Sequence, residues 1–226
     1  MLYQQGCYQG LQLPPRLHHE IVEFATYQEA YGNRDKKLKF QFIEKAKAET
    51  KYGQQFAIGE FANIANRCPA VKQICQDPKL IEITAQYLKT EPIYSGCRLW
   101  WSFPKVAVQT QQLEFERLLY HYDPIDYGAL KFFFYLTDVD YQSGPHHCVM
   151  GSHQQKGLRH QMTLFVGQSD KQILSYYDPE QIKVITGKAG YGFIEDPFCF
   201  HRGSRVKQRP RLMLQVLFRR NRYRGW

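Results

Sequence analysis

From Ile93 to Phe218 the chain is cut into short strand-like runs closed by Gly and Pro turns, and this punctuation limits the fold more than any other feature. The runs are SGCRLWWSF (95–103), 129–136, 148–150, 161–166, 182–185, 192–194, 198–201 and RLMLQVLF (211–218). Only 169–177, entered by Ser169 and left at Asp178-Pro179, reads as a helix here, while 109–119 fits strand, loop or short helix. Many short strands with no strand–helix–strand alternation point to a sandwich or jelly roll with helices packed outside. Along 95–103 side chains alternate, so Arg98 and Trp100 share one face and Leu99 and Trp101 the other. One tryptophan is then placed to line a pocket and the other to pack beneath helices.

Those helices are expected in the first ninety residues. Pro14-Pro15 open LHHEIVEFATYQEAY, in which Leu17, Ile21, Phe24 and Ala25 recur at helical spacing. Residues 36–51 form a second periodic stretch and 56–65 a third apolar pattern. A short helix follows Pro69, and Asp77-Pro78 leads into another over 79–89. Residues 1–13 read as irregular, with 8–13 a turn or edge. The 226 residues are expected to make one domain, with a helical support layer over 1–90 and a β core over about 93–220.

Hydrophobic content of 43% argues against disorder, and no apolar run approaches the roughly 20 residues that cross a bilayer. The start, MLYQQGCYQG, has neither a basic nor an apolar leader region, so a cytoplasmic location is expected. Six cysteines without a Cys-x-x-Cys suggest reduced thiols. The net charge of +9 resides in residues 201–226, which carry nine Lys and Arg and no acid. That distribution suits an anionic small-molecule substrate. Without a second basic cluster or an RNA-binding module, nucleic acid is not the expected partner, although Arg219, Arg220, Arg222 and Arg224 with Tyr223 and Trp226 make a basic, aromatic end.

The chemistry is carried by His121-Tyr-Asp123. In an extended segment residues two apart face the same way, so the two side chains could share one cation. With eight His and 21 acidic residues one such pair arises easily by accident, and a third ligand is needed. His146, His147, His153, His160 and His201 are candidates. His201 is best placed, ending the 198–201 run at the Gly203-Ser204 turn, some 80 residues downstream. Two imidazoles and a carboxylate on one side of an octahedral ion leave the other side open.

Taken together, His121-Tyr-Asp123, FFFYLTDVDYQSGPH, Gly151-Ser152-His153 and FIEDPFCFHRGSRVKQRPRLMLQVLF resemble the phytanoyl-CoA dioxygenase family of Fe(II)/2-oxoglutarate oxygenases over about residues 93–220. The resemblance implies a double-stranded β-helix (cupin-like jelly roll), with His121, Asp123 and His201 as catalytic iron ligands. It implies that Arg211 grips the distal carboxylate of 2-oxoglutarate. Arg211 lies about one residue nearer the distal His than is usual, with Arg209 as a neighbouring candidate. The implied reaction consumes O2 and 2-oxoglutarate, releases succinate and CO2, and hydroxylates a small polar or anionic metabolite. Lys131 and Thr137 are further candidates for touching 2-oxoglutarate. Trp100, Tyr127, His147 and His153 are candidates near the substrate, His153 more as loop support than as ligand, and Glu195 and Asp196 flank the turn before the distal His. Two other readings stay open: a cupin-like metalloenzyme that does not use 2-oxoglutarate, and a non-catalytic jelly-roll binder, in which the three ligands would not converge.

Overall fold

The computed structural model describes residues 1–104, 118–126, 128–157 and 167–220. The expected runs 109–119 and 161–166, together with Tyr127, His160 and the terminal Arg222, Tyr223, Arg224 and Trp226, lie wholly or largely outside the described residues. Two antiparallel sheets face each other. The larger has the order β1 (Cys7–Gln12), β9 (Tyr191–Glu195), β6 (Ala129–Tyr135), β11 (Arg211–Arg219), β5 (Ile93–Ser102), β4 (Ile58–Glu60), β2 (Ala30–Gly32), β3 (Lys39–Phe40). The smaller has the order β10 (His201–Arg202), β7 (His146–Val149), β8 (Ile182–Ile185). Tyr135 joins them, its hydroxyl donating to the Ile185 carbonyl at 2.8 Å and accepting from the His146 amide at 3.0 Å. The result is a jelly roll, mainly β, with helices on the outside.

Alternation along the long strands assigns each face of the larger sheet. Leu99, Trp101, Leu130, Phe132, Phe134, Leu212, Leu214, Val216 and Phe218 form one buried cluster with the helices. Trp100, Phe133, Tyr135, Phe193 and Met213 form another, facing the smaller sheet. The two tryptophans separate as parity predicts, for Trp101 donates to the Ala25 carbonyl at 3.0 Å and stacks on Phe42 at 4.1 Å. The helix α1 (Pro15–Tyr27), with Pro at its first turn, lays Leu17, Ile21 and Ala25 on the sheet. Helix α2 (Pro78–Leu88) begins where the Asp77 side chain accepts from the Lys79 amide, and buries Leu80, Thr84 and Leu88. Phe132 is fully buried between β6 and the helices. Phe132→Ala is expected to cost about 3–5 kcal/mol, measured by chemical denaturation.

The N-terminal ninety residues, expected to be mostly helical, also supply strands. Four strands there extend the larger sheet, β1 on one edge and β4, β2 and β3 on the other. The expected helix over 36–51 is a helix only over Lys45–Tyr52, preceded by β3 and a short 3-10 turn. The reason is packing: Leu38 and Phe40 are buried against the sheet, where an extended segment places them. Ser169 does cap a helix, with Gln172 returning the bond, but the helix ends at Leu174. No helix among the described residues is long and apolar enough to cross a membrane.

Candidate active site

The segment carrying His121 and Asp123 is bound to the edge of the smaller sheet. His121 and His201 stand opposite each other and exchange both backbone hydrogen bonds, at 3.0 and 2.8 Å. The Asp123 amide adds a bond to the Pro197 carbonyl at 2.8 Å. His201 therefore begins β10 rather than ending a 198–201 strand, and this pairing closes the long sequence separation. One ligand atom from each of His121, Asp123 and His201 lies within 4.8 Å of the others. The imidazole rings are 4.6 Å apart, centre to centre.

Both rings are oriented by backbone carbonyls. His121 Nδ1 lies 3.0 Å from the Leu119 carbonyl and His201 Nδ1 lies 2.9 Å from that of Cys199. A carbonyl only accepts, so Nδ1 donates in each ring and Nε2 is the atom left to face a metal. Burial, with the neighbouring His201, pulls His121 down to about 4, which keeps it neutral. His201 is fully buried; burial lowers its pKa, but the Glu195 carboxylate and the contact with Asp123 raise it overall. Burial opposes ionisation of Asp123 as well. The His201 hydrogen bond and the Lys131 ammonium more than offset that and hold the carboxyl well below the usual range. Two imidazole nitrogens and one carboxylate on one side make a donor set that fits Fe(II), which would displace the proton His201 shares with Asp123, and they leave positions open.

Behind the triad, Glu195 and His146, named separately in the sequence, form a pair. Glu195, fully buried on β9, accepts from His146 Nε2 at 2.7 Å, and its other oxygen lies 3.5 Å from His201 Nδ1. His146 is thus a satisfied interior histidine. Burial pushes Glu195 up, yet His146 and His201 bring it down to about 2 from the usual 4.5. A carboxyl depressed on folding stabilises the protein above its unfolded pKa and loses that contribution as pH falls through the folded value. Stability is therefore expected to fall by on the order of 3 kcal/mol between pH 4.5 and 2, and Glu195→Gln to flatten that slope in acid-unfolding curves. Strand alternation was the available signal, since Glu195 shares a face with Phe193.

Arg211 starts β11 and is buried among the residues between the sheets. Its Nη1 donates to the Gly144 carbonyl and its Nη2 to Ser102 Oγ at 3.2 Å, while Nε has no hydrogen-bond partner. No described carboxylate pairs with it. A buried guanidinium in that state is costly unless an anion joins it. The chemistry fits one carboxylate of 2-oxoglutarate.

The remaining candidates are spread out. Arg209 is exposed, its charge acting on Asp138 and Asp140. Lys131 reaches Asp123 itself, donating to its carboxylate. The Thr137 hydroxyl accepts from the Leu212 amide at 3.1 Å, next to Arg211. Trp100 lies between the sheets. His147, across β7 from His146, meets the Tyr120 hydroxyl at 3.3 Å. His153 holds the N-terminal segment through the Tyr3 carbonyl at 2.9 Å and lies 3.4 Å from Cys199 Sγ, outside the triad.

No family model matches the chain, and no curated protein matches it in sequence. Solved structures do match. The non-haem α-ketoglutarate-dependent epimerase SnoN from nogalamycin biosynthesis aligns at a TM-score of 0.64 and 12% identity, covering 96% of this chain and 79% of its own. The carbocyclase SnoK of the same biosynthesis aligns at 0.62 and 13%, covering 96% and 80%. AviO1 from Streptomyces viridochromogenes Tue57 aligns at 0.60 and 11%, covering 99% and 94%. The likeness is one of fold: the chain has the jelly-roll architecture of non-haem, α-ketoglutarate-dependent enzymes, with a two-His, one-Asp cluster between its sheets.

Proposed function

We propose that this chain is an Fe(II)/2-oxoglutarate-dependent oxygenase that hydroxylates a small, polar or anionic metabolite. The observation that carries the reading is the joint presence, between the same two sheets, of the His121, Asp123, His201 cluster and a buried Arg211 without a described carboxylate. A cupin-like metal site working without an oxo acid gives no reason for that arginine, and a simple binding scaffold gives none for the converging ligands.

Bound Fe(II) and 2-oxoglutarate would supply the oxidising chemistry with O2. The chain's own part is positional. The Leu119 and Cys199 carbonyls hold both Nε2 atoms toward one point. Lys131 and His201 keep Asp123 ionised, and Arg211 supplies a fork for the distal carboxylate of the co-substrate. Aromatic walls from Phe133, Phe193 and Trp100 exclude water from the space between the sheets.

Succinate release from protein supplied with Fe(II), 2-oxoglutarate and O2, across a panel of polar and anionic metabolites, tests the proposal. A substrate that stimulates release, with a product heavier by one oxygen, supports hydroxylation. The epimerase and carbocyclase names of the two nogalamycin structures favour a second outcome, substrate oxidation without oxygen gain. Stimulated succinate with a product that gains no oxygen selects it. Substrate turnover without any succinate overturns both.

A further inference from the structure

A second group of charges lies on the face of the larger sheet turned toward the smaller sheet, whose edge carries the metal ligands, and nothing in the oxygenase chemistry uses it. Glu60 on β4 stands in register with Trp100 on β5, so both point between the sheets, and Arg98 joins them by alternation. Arg98 donates from Nε and Nη2 to one Glu60 oxygen, each at 2.7 Å. Arg34 brings its Nε to 3.4 Å from the other oxygen. Two guanidiniums thus converge on one carboxylate, and one positive charge is left over. Among the described residues, neither terminal nitrogen of Arg34 nor Nη1 of Arg98 has a hydrogen-bond acceptor. The side chains keep 34% and 37% exposure, enough for a ligand to reach them.

This arrangement is costly to hold. Arg34 and the preceding Asn33 both adopt left-handed backbone, with φ of 64° and 50°. For a residue such as Arg that costs about 1 kcal/mol or more. The Asn33 side chain locks the turn by accepting from the Ala57 amide at 2.8 Å and donating to the Gln55 carbonyl at 2.9 Å. Burial and the like charge of Arg98 both lower the pKa of Arg34. Closed by the Asp35 amide on the Gly32 carbonyl at 2.9 Å, the turn joins β2 to β3 and fixes Arg34 beside Arg98, so that both can receive one anion.

Its position suits a substrate. Arg98 is in register with Gln215, and Gln215 with Phe133, so Arg98 lies two strand spacings from Phe133, roughly 10 Å. Phe133 packs on His146 at 5.2 Å, and His146 on His201 at 5.7 Å. Arg211, assigned above to the co-substrate, sits farther along β11, paired with Ser102 rather than Arg98. We propose that Arg34 and Arg98, gathered around Glu60, form the subsite that grips a carboxylate or phosphate group of the primary substrate. The assignment as a substrate subsite rests on the oxygenase reading, while anion binding there does not.

Trp100 provides the reporter, because the Arg98 guanidinium lies 5.2 Å from its ring. Benzoate, phenyl phosphate and uncharged benzyl alcohol are titrated into the full-length protein with Fe(II), anaerobically, with and without saturating 2-oxoglutarate, following tryptophan emission. At least one anion is expected to bind in a salt-sensitive manner, and benzyl alcohol at least tenfold more weakly. The stronger anion identifies the group. Arg34→Gln and Arg98→Gln are each expected to weaken the anion at least tenfold, Arg98→Lys to recover part of the loss, and exposed Lys188→Gln to change nothing. Retained 2-oxoglutarate binding shows that the Gln variants are folded. Equal anion binding by wild type and both Gln variants, or equal binding of the neutral probe, overturns the proposal. Failure of wild type to bind 2-oxoglutarate, with the anion still bound, overturns the oxygenase reading alone.

Discussion

Asp123→Asn is expected to lower Fe(II) affinity by on the order of a thousandfold while leaving the fold intact. Partners that merely orient a metal ligand are worth about 10–100-fold, and Asp123 is the only anionic member of the cluster. Asn keeps the volume and a carbonyl oxygen for Lys131 but removes the charge. Asp123→Ala would lose the same affinity and also leave buried Lys131 without its carboxylate, adding about 1–3 kcal/mol of destabilisation. Anaerobic Fe(II) titration, together with thermal unfolding of both apo variants, separates the two effects.

The second large effect belongs to Arg211. Arg211→Gln is expected to weaken 2-oxoglutarate binding about a hundredfold, within the 2–5 kcal/mol lost when one partner of a buried charge pair is removed. Fe(II) affinity should stay near wild type, because Arg211 touches the Gly144 carbonyl and Ser102 rather than the ligands. The apo variant should be no less stable than wild type, since removing a buried, uncompensated guanidinium relieves a cost. A role for Arg211 confined to packing would reverse the pattern, with stability lost and co-substrate affinity kept. Exposed Arg209→Gln should change neither.

How much of this was legible in the sequence depended on whether the information was local. Strands β5, β6 and β11 are long and apolar enough to announce themselves, and parity alone separated Trp100 from Trp101. The triad was visible as residue types at suggestive spacings, although only the His121 to His201 backbone pairing explains why residues so far apart meet. Of the N-terminal strands only β1 was glimpsed, in the edge reading of residues 8–13. β2, β3 and β4 are two or three residues long, and β1, CYQGLQ, alternates too weakly to declare a buried face. Their stability comes from pairing with a preformed sheet, which no local propensity records. Glu195 and His146 were named singly, one as flanking a turn and one as a candidate ligand, but their pairing across two sheets was not legible, although strand alternation already turned Glu195 inward. Lys131 stood in the sequence as a candidate for 2-oxoglutarate, and only the placement of β6 sets it against Asp123.

The central claim is that the chain assembles one site for Fe(II) and 2-oxoglutarate together. Anaerobic calorimetry of 2-oxoglutarate binding, with and without Fe(II), on wild type and His201→Ala tests it most directly. Binding that requires Fe(II) in the wild type, and that His201→Ala lowers at least tenfold, is the predicted result. Binding that is equal in the two proteins, or indifferent to Fe(II), would contradict it.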